Sequence, residues 1–267
     1  MYRLIKEALG YRGFVYGSIL RQVRSQYQGS MLGAAWIFIG PVALLLVHTV
    51  VFSNVFRSRL PGVDSPLAYS VYLCAGLLPW LFFSDAVTRI TGAFVGNAGL
   101  LKKARFPRVC LPLIAIGVSG FNFVVIAALF IAFLLLAGHF PGWVLVAALP
   151  ALVVQTVLAF GFGIFLGVVN VFYRDVGQLV GVVFQFLFWL TPIVYPRSIL
   201  PDWVRGLIDL NPLAVIVEHY QTVVLQATLP SAESFARLGA VALLAALGLF
   251  LGLKIHRDLG AEMTDEL

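Results

Sequence analysis

The chain has 267 residues, 61% of them hydrophobic and only 11% charged, with a formal net charge of +6 at pH 7. A soluble domain cannot hide that much apolar surface beneath a charged exterior, so the composition excludes a soluble enzyme and points to an all-α polytopic membrane protein. The basic excess fits Lys- and Arg-rich cytoplasmic loops rather than nucleic-acid binding.

The first predicted element is amphipathic. Leu4, Ala8, Tyr11, Val15, Ile19, Val23 and Tyr27 recur every three or four positions, while Arg3, Lys6, Arg21 and Arg24 lie off that stripe. The pattern predicts a helix over Leu4–Gln28, within segment 1–30, lying along the cytoplasmic membrane surface. Its charges interrupt any apolar core, so no cleavable signal is expected there. The glycines at 10, 13 and 17 weaken the helix.

A membrane-crossing helix needs roughly 20 mostly apolar residues. Six stretches qualify: Leu32–Phe56, Leu67–Val95, Val109–Ala137, Trp143–Phe172, Val176–Tyr195 and Phe235–Ile255. Between the fourth and fifth stand Arg174 and Asp175, the only Asp, Glu, Lys or Arg from Phe140 to Pro196. Inside a span each would cost about 2.5–3.5 kcal/mol at the bilayer centre. A tight turn at "YRD" removes that cost. Twelve of the eighteen Lys and Arg fall on the side that carries both termini, the loop after the second span and this turn. That side is therefore cytoplasmic.

Residues 198–230, on the other side, are neither a span nor a simple loop. Pro201–Asp202 and Asn211–Pro212 both read as helix starts, with Asn211 an N-cap and Pro212 the first helical residue. Neither helix is long enough to cross. Two short amphipathic helices re-entering the outer leaflet fit best. The whole chain, 1–267, then forms one permease domain: spans one to five over 32–195, outer helices over 198–230, and the sixth span over 235–255.

Four segments carry a family resemblance over nearly the whole chain. They are "RQVRSQYQGSMLGAAWIFIGP" (Arg21–Pro41), "GLLPWLFFSDAV" (Gly76–Val87), "YRDVGQLVGVVFQFLFWLTPIVYP" (Tyr173–Pro196) and "LNPLAVIVEHYQ" (Leu210–Gln221). The chain resembles the membrane permease subunit of bacterial ATP-binding cassette exporters of polysaccharides, which carry lipid-linked O-antigen, capsule or teichoic acid. The resemblance implies a homodimer in the inner membrane with two copies of a separate cytoplasmic ATPase subunit. ATP and Mg would be bound by that partner, with no cofactor in this chain. In agreement, no G-x-x-x-x-G-K-[ST] phosphate-binding loop occurs; "GNAGLLKK" (Gly96–Lys103) lacks the spacing and the Ser or Thr.

The resemblance also places a short ATPase-docking helix in the loop after the second span, which points to Leu100, Leu101, Lys102, Lys103 and Arg105. A basic loop that sets topology and touches anionic lipid is the plainer alternative. Arg174 and Asp175 contact the same partner or form only a hydrated turn. Asp85 and Arg89, at i and i+4, share one face of the second span. They mark a wet cavity or a neutralised structural pair with Arg89 snorkelling. On the fifth span, Gln178, Gln185, Phe188, Trp189 and Tyr195 combine amides with rings. Such a stripe suits a glycan sliding past, or ordinary packing. Trp203, Asn211, Pro212, Glu218 and Tyr220 are expected at an outer gate. Glu218 and His219 have no nucleophile motif or metal-ligand spacing beside them, so no covalent chemistry is expected. The rival readings are a drug or small-molecule permease of the same fold and an ion-coupled secondary transporter, which would show inverted repeats.

Overall fold

The computed structural model describes residues 10–26, 28, 32–36, 38–40, 42–43, 46–47, 68–103, 106–260 and 262–266. Among them the elements are helical: α1 (Arg12–Ser25), α2 (Ala68–Gly96), α3 (Ala98–Lys103), α4 (Cys110–Leu136), α5 (Leu149–Phe172), α6 (Val176–Trp189), α7 (Asp202–Asp209), α8 (Pro212–Leu225), α9 (Ala232–Asp258) and α10 (Glu262–Glu266). A 3₁₀ segment, Gly142–Ala148, leads into α5. Four stretches are long and apolar enough to cross a membrane: Ala68–Gly96, Cys110–Leu136, Gly142–Phe172 and Ala232–Asp258. These coincide, within a few residues at each end, with the second, third, fourth and sixth predicted spans. Most of the predicted first span, Leu32–Phe56, lies outside the described residues, as do residues 4–9 of the predicted surface helix.

α2 is the central post. It packs against α4, α5 and α8, while α5 in turn lies along α9. In lipid there is no hydrophobic drive between apolar helices, so close contact and polar links must hold them. Both are present. Gly161 on α5 and Gly252 on α9 face each other so closely that a Cβ on either would overlap the other helix's backbone. The wholly buried Gln155 of α5 donates to the carbonyl of Pro79, the proline inside α2.

The apolar stripe of α1 is turned against the protein. Val23 is buried, and Ile19 fills the space left by the missing side chain of Gly117 on α4. Phe14 meets Phe106, in the loop after α3, at a ring distance of 5.2 Å.

The fifth predicted stretch, Val176–Tyr195, needs correction. The helix ends at Trp189, so α6 has 14 residues and spans roughly 21 Å. Thr191–Val194 and Pro196 then form a buried, non-helical segment. Its carbonyls are met by neighbours. The Tyr69 hydroxyl donates to Val194. The Tyr72 hydroxyl lies 3.0 Å from the Pro192 oxygen and 2.8 Å from that of Tyr195. Irregular backbone buried inside a membrane protein survives because protein donors replace the missing water.

The residues after this segment also depart from the expectation of two amphipathic helices. α7 is amphipathic, with Ile208 buried and Trp203 and Leu207 exposed. α8 instead is an inner helix: Leu213 through Val217 are all buried, and it packs between α2, α9 and the 3₁₀ segment.

Candidate transport groove and its closing elements

α6 has two faces. Val180 and Phe184 are buried, and Phe184 and Phe188 pack against Trp80 of α2 with ring distances of 6.0 and 5.6 Å. Gln178, Gln185 and Trp189 share the opposite, exposed face. Between α2 and α6 runs an open groove of about 620 Å³, lined by Trp80, Ser84, Asp85 and Thr88 on one wall and Phe184, Gln185, Phe188 and Trp189 on the other. Rings and amides therefore do meet along one surface. Gln178 lies outside the lining of this groove, and Phe188 is partly buried against Trp80. Tyr195 is not on the α6 face: it follows the irregular segment, and its hydroxyl donates back to the Trp189 carbonyl.

Asp85 stands on the groove wall and on the wall of a second cavity of about 260 Å³, which Trp36, Phe82, Ser119, Asn122 and Phe123 help to line. The predicted Asp85–Arg89 pair forms: Arg89 Nε lies 2.8 Å from both carboxylate oxygens. Ser119 of α4 donates to Asp85 Oδ2 at 2.7 Å. The carboxylate is thus held by a cation from its own helix and a hydroxyl from the next. That third partner has no sequence signature, since Ser119 is 34 residues away.

At one end of the bundle, four charges from four elements interlock. Arg197 and Arg237 each pair with both Asp209 and Glu218. Arg197 meets Asp209, with Glu218 at 3.7 Å, while Arg237 lies 3.3 Å from Asp209 and 3.1 Å from Glu218. The ring joins the 3₁₀ turn Arg197–Ile199, the end of α7, the middle of α8 and the start of α9. Sequence reasoning found Glu218 and missed its three partners, because their spacings match no local rule. Next to Glu218, His219 is buried, with Nδ1 3.1 Å from Ser234 Oγ and Nε2 2.9 Å from the Ala147 carbonyl oxygen. A carbonyl only accepts, so Nε2 donates to Ala147, while Nδ1 and the Ser234 hydroxyl share the second bond. Both ring nitrogens are occupied in structural bonds.

Asn211 is the N-cap of α8, accepting from Leu213 N at 3.0 Å, with Pro212 at the first helical position. Its amide also donates to Thr191 Oγ1 at 2.9 Å, tying the helix start to the irregular segment. Trp203 is 74% exposed and Tyr220 is buried. Residues predicted to act together at a gate are therefore split between surface and core.

At the opposite end, Leu101 and Phe106 join Phe94, Phe172 and Met263 in one apolar cluster. Leu100 and Lys102 of α3 are exposed; Lys103 closes that helix, and Arg105 lies outside the described residues. Arg174 and Asp175 occupy an exposed turn between α5 and α6, as the charge cost required. The turn is clamped by a residue not singled out from sequence. Buried Asn170 donates to the Thr91 carbonyl at 3.1 Å and accepts from Gly177 N at 2.8 Å. An amide in an apolar run was the available signal.

Long apolar helices, a glycine-mediated helix contact and a broken helix with protein-satisfied carbonyls define a multi-pass membrane protein of the transporter type. The ABC-2 type transporter family matches residues 15–225, and the chain belongs to that family. It is 31% identical over 243 residues to the O-antigen export system permease protein RfbA of Myxococcus xanthus, covering 90% of this chain and 91% of that one. The Klebsiella pneumoniae protein of the same name is 29% identical over 78% of this chain and 79% of its own. The polysialic acid transport protein KpsM of Escherichia coli is 22% identical over 89% of this chain and 90% of its own. Membership implies association with an ATPase subunit.

Proposed function

We propose that this chain is the permease subunit of an ATP-driven exporter that moves lipid-linked polysaccharide, in first place lipopolysaccharide O-antigen, across the bacterial inner membrane. The observation that carries the reading is the 31% identity to an O-antigen export permease over nine-tenths of both chains. The KpsM likeness favours capsular polysaccharide as the second cargo, at lower identity. Teichoic acid export and small-molecule export stand behind these.

In this reading two copies of the chain assemble with two copies of a nucleotide-binding subunit. ATP and Mg are held by that subunit, and this chain makes and breaks no covalent bond. Six spans cross the membrane, with both termini, α3 and the Arg174–Asp175 turn on the cytoplasmic side. α7 and α8 re-enter from the outer side and close the exit. Docking of the ATPase falls to Leu100, Leu101, Lys102, Lys103, Arg105, Arg174 and Asp175. The groove between α2 and α6 supports the glycan path. Sugar C–H faces stack on the exposed Trp189, while Gln185 and Ser84 exchange hydrogen bonds with hydroxyls; shallow contacts of this kind release as readily as they form.

Two measurements test the proposal. Affinity purification of the full chain from its native host is expected to recover an ATPase, and deletion of its gene is expected to leave lipid-linked glycan on the cytoplasmic face. Recovery without any ATPase, or normal surface glycan in the deletion strain, rejects the reading.

A further inference from the structure

Arg89 uses only one edge of its guanidinium. Its Nε engages Asp85, while the two Nη groups have no hydrogen-bond partner among the described residues. Arg89 also lines a cavity of about 250 Å³, walled by Thr88, Gly92 and Asn97 of α2 and its end, Leu111 and Ile114 of α4, and Gln22 of α1. The Asn97 amide nitrogen is spent on the Ala93 carbonyl at 2.8 Å, and Asn97 and Thr88 are polar residues of the lining. Arg89 lies seven residues before the end of α2, roughly 11 Å along the axis. α1 runs beside it with Arg21, Gln22 and Arg24 exposed. Arg89 thus lies toward one end of the 29-residue α2 and not at its middle.

The chemistry of the place is specific. A planar guanidinium, fixed at Nε by a carboxylate, presents its remaining N–H donors in a fork that matches phosphate oxygens. Asp85 prevents the arginine from swinging away, and Ser119 holds Asp85 in turn. The apolar walls from Leu111 and Ile114 suit the acyl or prenyl chain below a phosphate. The cavity lining includes no carboxylate among the described residues; Asp85, bonded at Nε, weakens the attraction for an anion but leaves the Nη edge open.

We propose that this cavity between α1, α2 and α4 is a binding site for the phosphate group of a membrane lipid, with Arg89 Nη1 and Nη2 as its donors and Thr88 and Gln22 at its rim. The phosphate has two sources, a resident phospholipid or the lipid end of the proposed substrate. The second source rests on the export reading; the site itself does not.

The test is lipid retention by the full chain, purified with its ATPase partner in detergent and measured by native mass spectrometry. The probes are phosphatidylglycerol and diacylglycerol of the same acyl length. The native protein is expected to retain phosphatidylglycerol about tenfold better, the low end of the scale of one charge-assisted hydrogen bond. Arg89→Gln is expected to lose that excess, and Arg89→Lys to keep part of it. Because Arg89→Gln also unpairs Asp85, the double variant Asp85→Asn/Arg89→Gln, which leaves no lone charge, guards against misfolding. It is expected to retain both lipids equally. Native-level retention of phosphatidylglycerol by either glutamine variant, or equal retention of the two lipids by the native protein, overturns the site. Displacement of phosphatidylglycerol by purified lipid-linked glycan assigns the phosphate to the substrate. Failure to displace it, with the tenfold preference intact, assigns the phosphate to a resident lipid and leaves the site standing.

Discussion

The amide of Gln221 on α8 donates to the carbonyl of Pro192 at 3.1 Å, across the point where α6 has stopped being a helix. Gln221 also sits against Gly76 of α2, where a Cβ would collide with its amide. One side chain thus locks the broken helix to the helix beside it. The break is a built feature, and its donors are the places to disturb it.

Removing one donor leaves the Pro192 carbonyl with a single partner. Gln221→Leu and Tyr72→Phe are each expected to destabilise the folded chain by about 0.5–1.5 kcal/mol, the net scale of one hydrogen bond. The double variant should exceed additivity, because only the loss of both side chains leaves the Pro192 oxygen without a donor. Thermal unfolding in detergent measures this; unchanged melting for both single variants would remove the role assigned to the break.

The turn between α5 and α6 depends on Asn170. Asn170→Leu loses two hydrogen bonds, to Thr91 and from Gly177, and is expected to cost about 1–3 kcal/mol. Asn170→Asp keeps an acceptor for Gly177 N but sets a buried carboxylate against the Thr91 carbonyl, and should cost at least as much. If the Arg174–Asp175 turn serves ATPase coupling, both variants also lower transport-linked ATP hydrolysis, and the order of the two effects should agree.

The ring of Arg197, Asp209, Glu218 and Arg237 should show charge dependence. Its members are roughly a quarter to two-fifths exposed, and partly exposed pairs contribute only about 0.2–1 kcal/mol each. Asp209→Asn alone is therefore expected to change little. Asp209→Asn with Glu218→Gln strands two arginines and should loosen α7, seen as uptake of a small dye by intact cells. Reversing all four charges together (Arg197→Glu, Asp209→Arg, Glu218→Arg and Arg237→Glu) keeps every pairing opposite in sign and is expected to restore tightness. Dye exclusion by the double-neutral variant would separate this ring from any gate.

Trp189 is 59% exposed at the groove mouth, whereas Phe188 is packed on Trp80. Trp189→Ala is expected to slow export several-fold with little change in melting temperature, since a largely exposed ring carries little packing. Phe188→Ala should instead lower stability by about 3 kcal/mol or less, the partly buried end of the core-aromatic range. Equal export rates for native protein and Trp189→Ala would take the groove out of the transport path.

Much of the architecture was legible because it is local. Twenty-residue apolar runs set the long helices, an Asn-Pro pair set the start of α8, and two adjacent charges set the turn at 174–175. These depend on hydropathy, capping and charge cost, each readable within a few residues. The end of α6 at Trp189, the inward burial of α8 and the ion ring were decided by tertiary structure. Tyr69 reaches Val194 across 125 positions, Gln155 reaches Pro79 across 76, and Arg237 reaches Asp209 across 28. An apolar run such as Val176–Tyr195 carries no mark of where its helix must stop. In a bilayer it can stop only where another helix brings a donor to the freed carbonyl, and that donor exists only once the chain has folded.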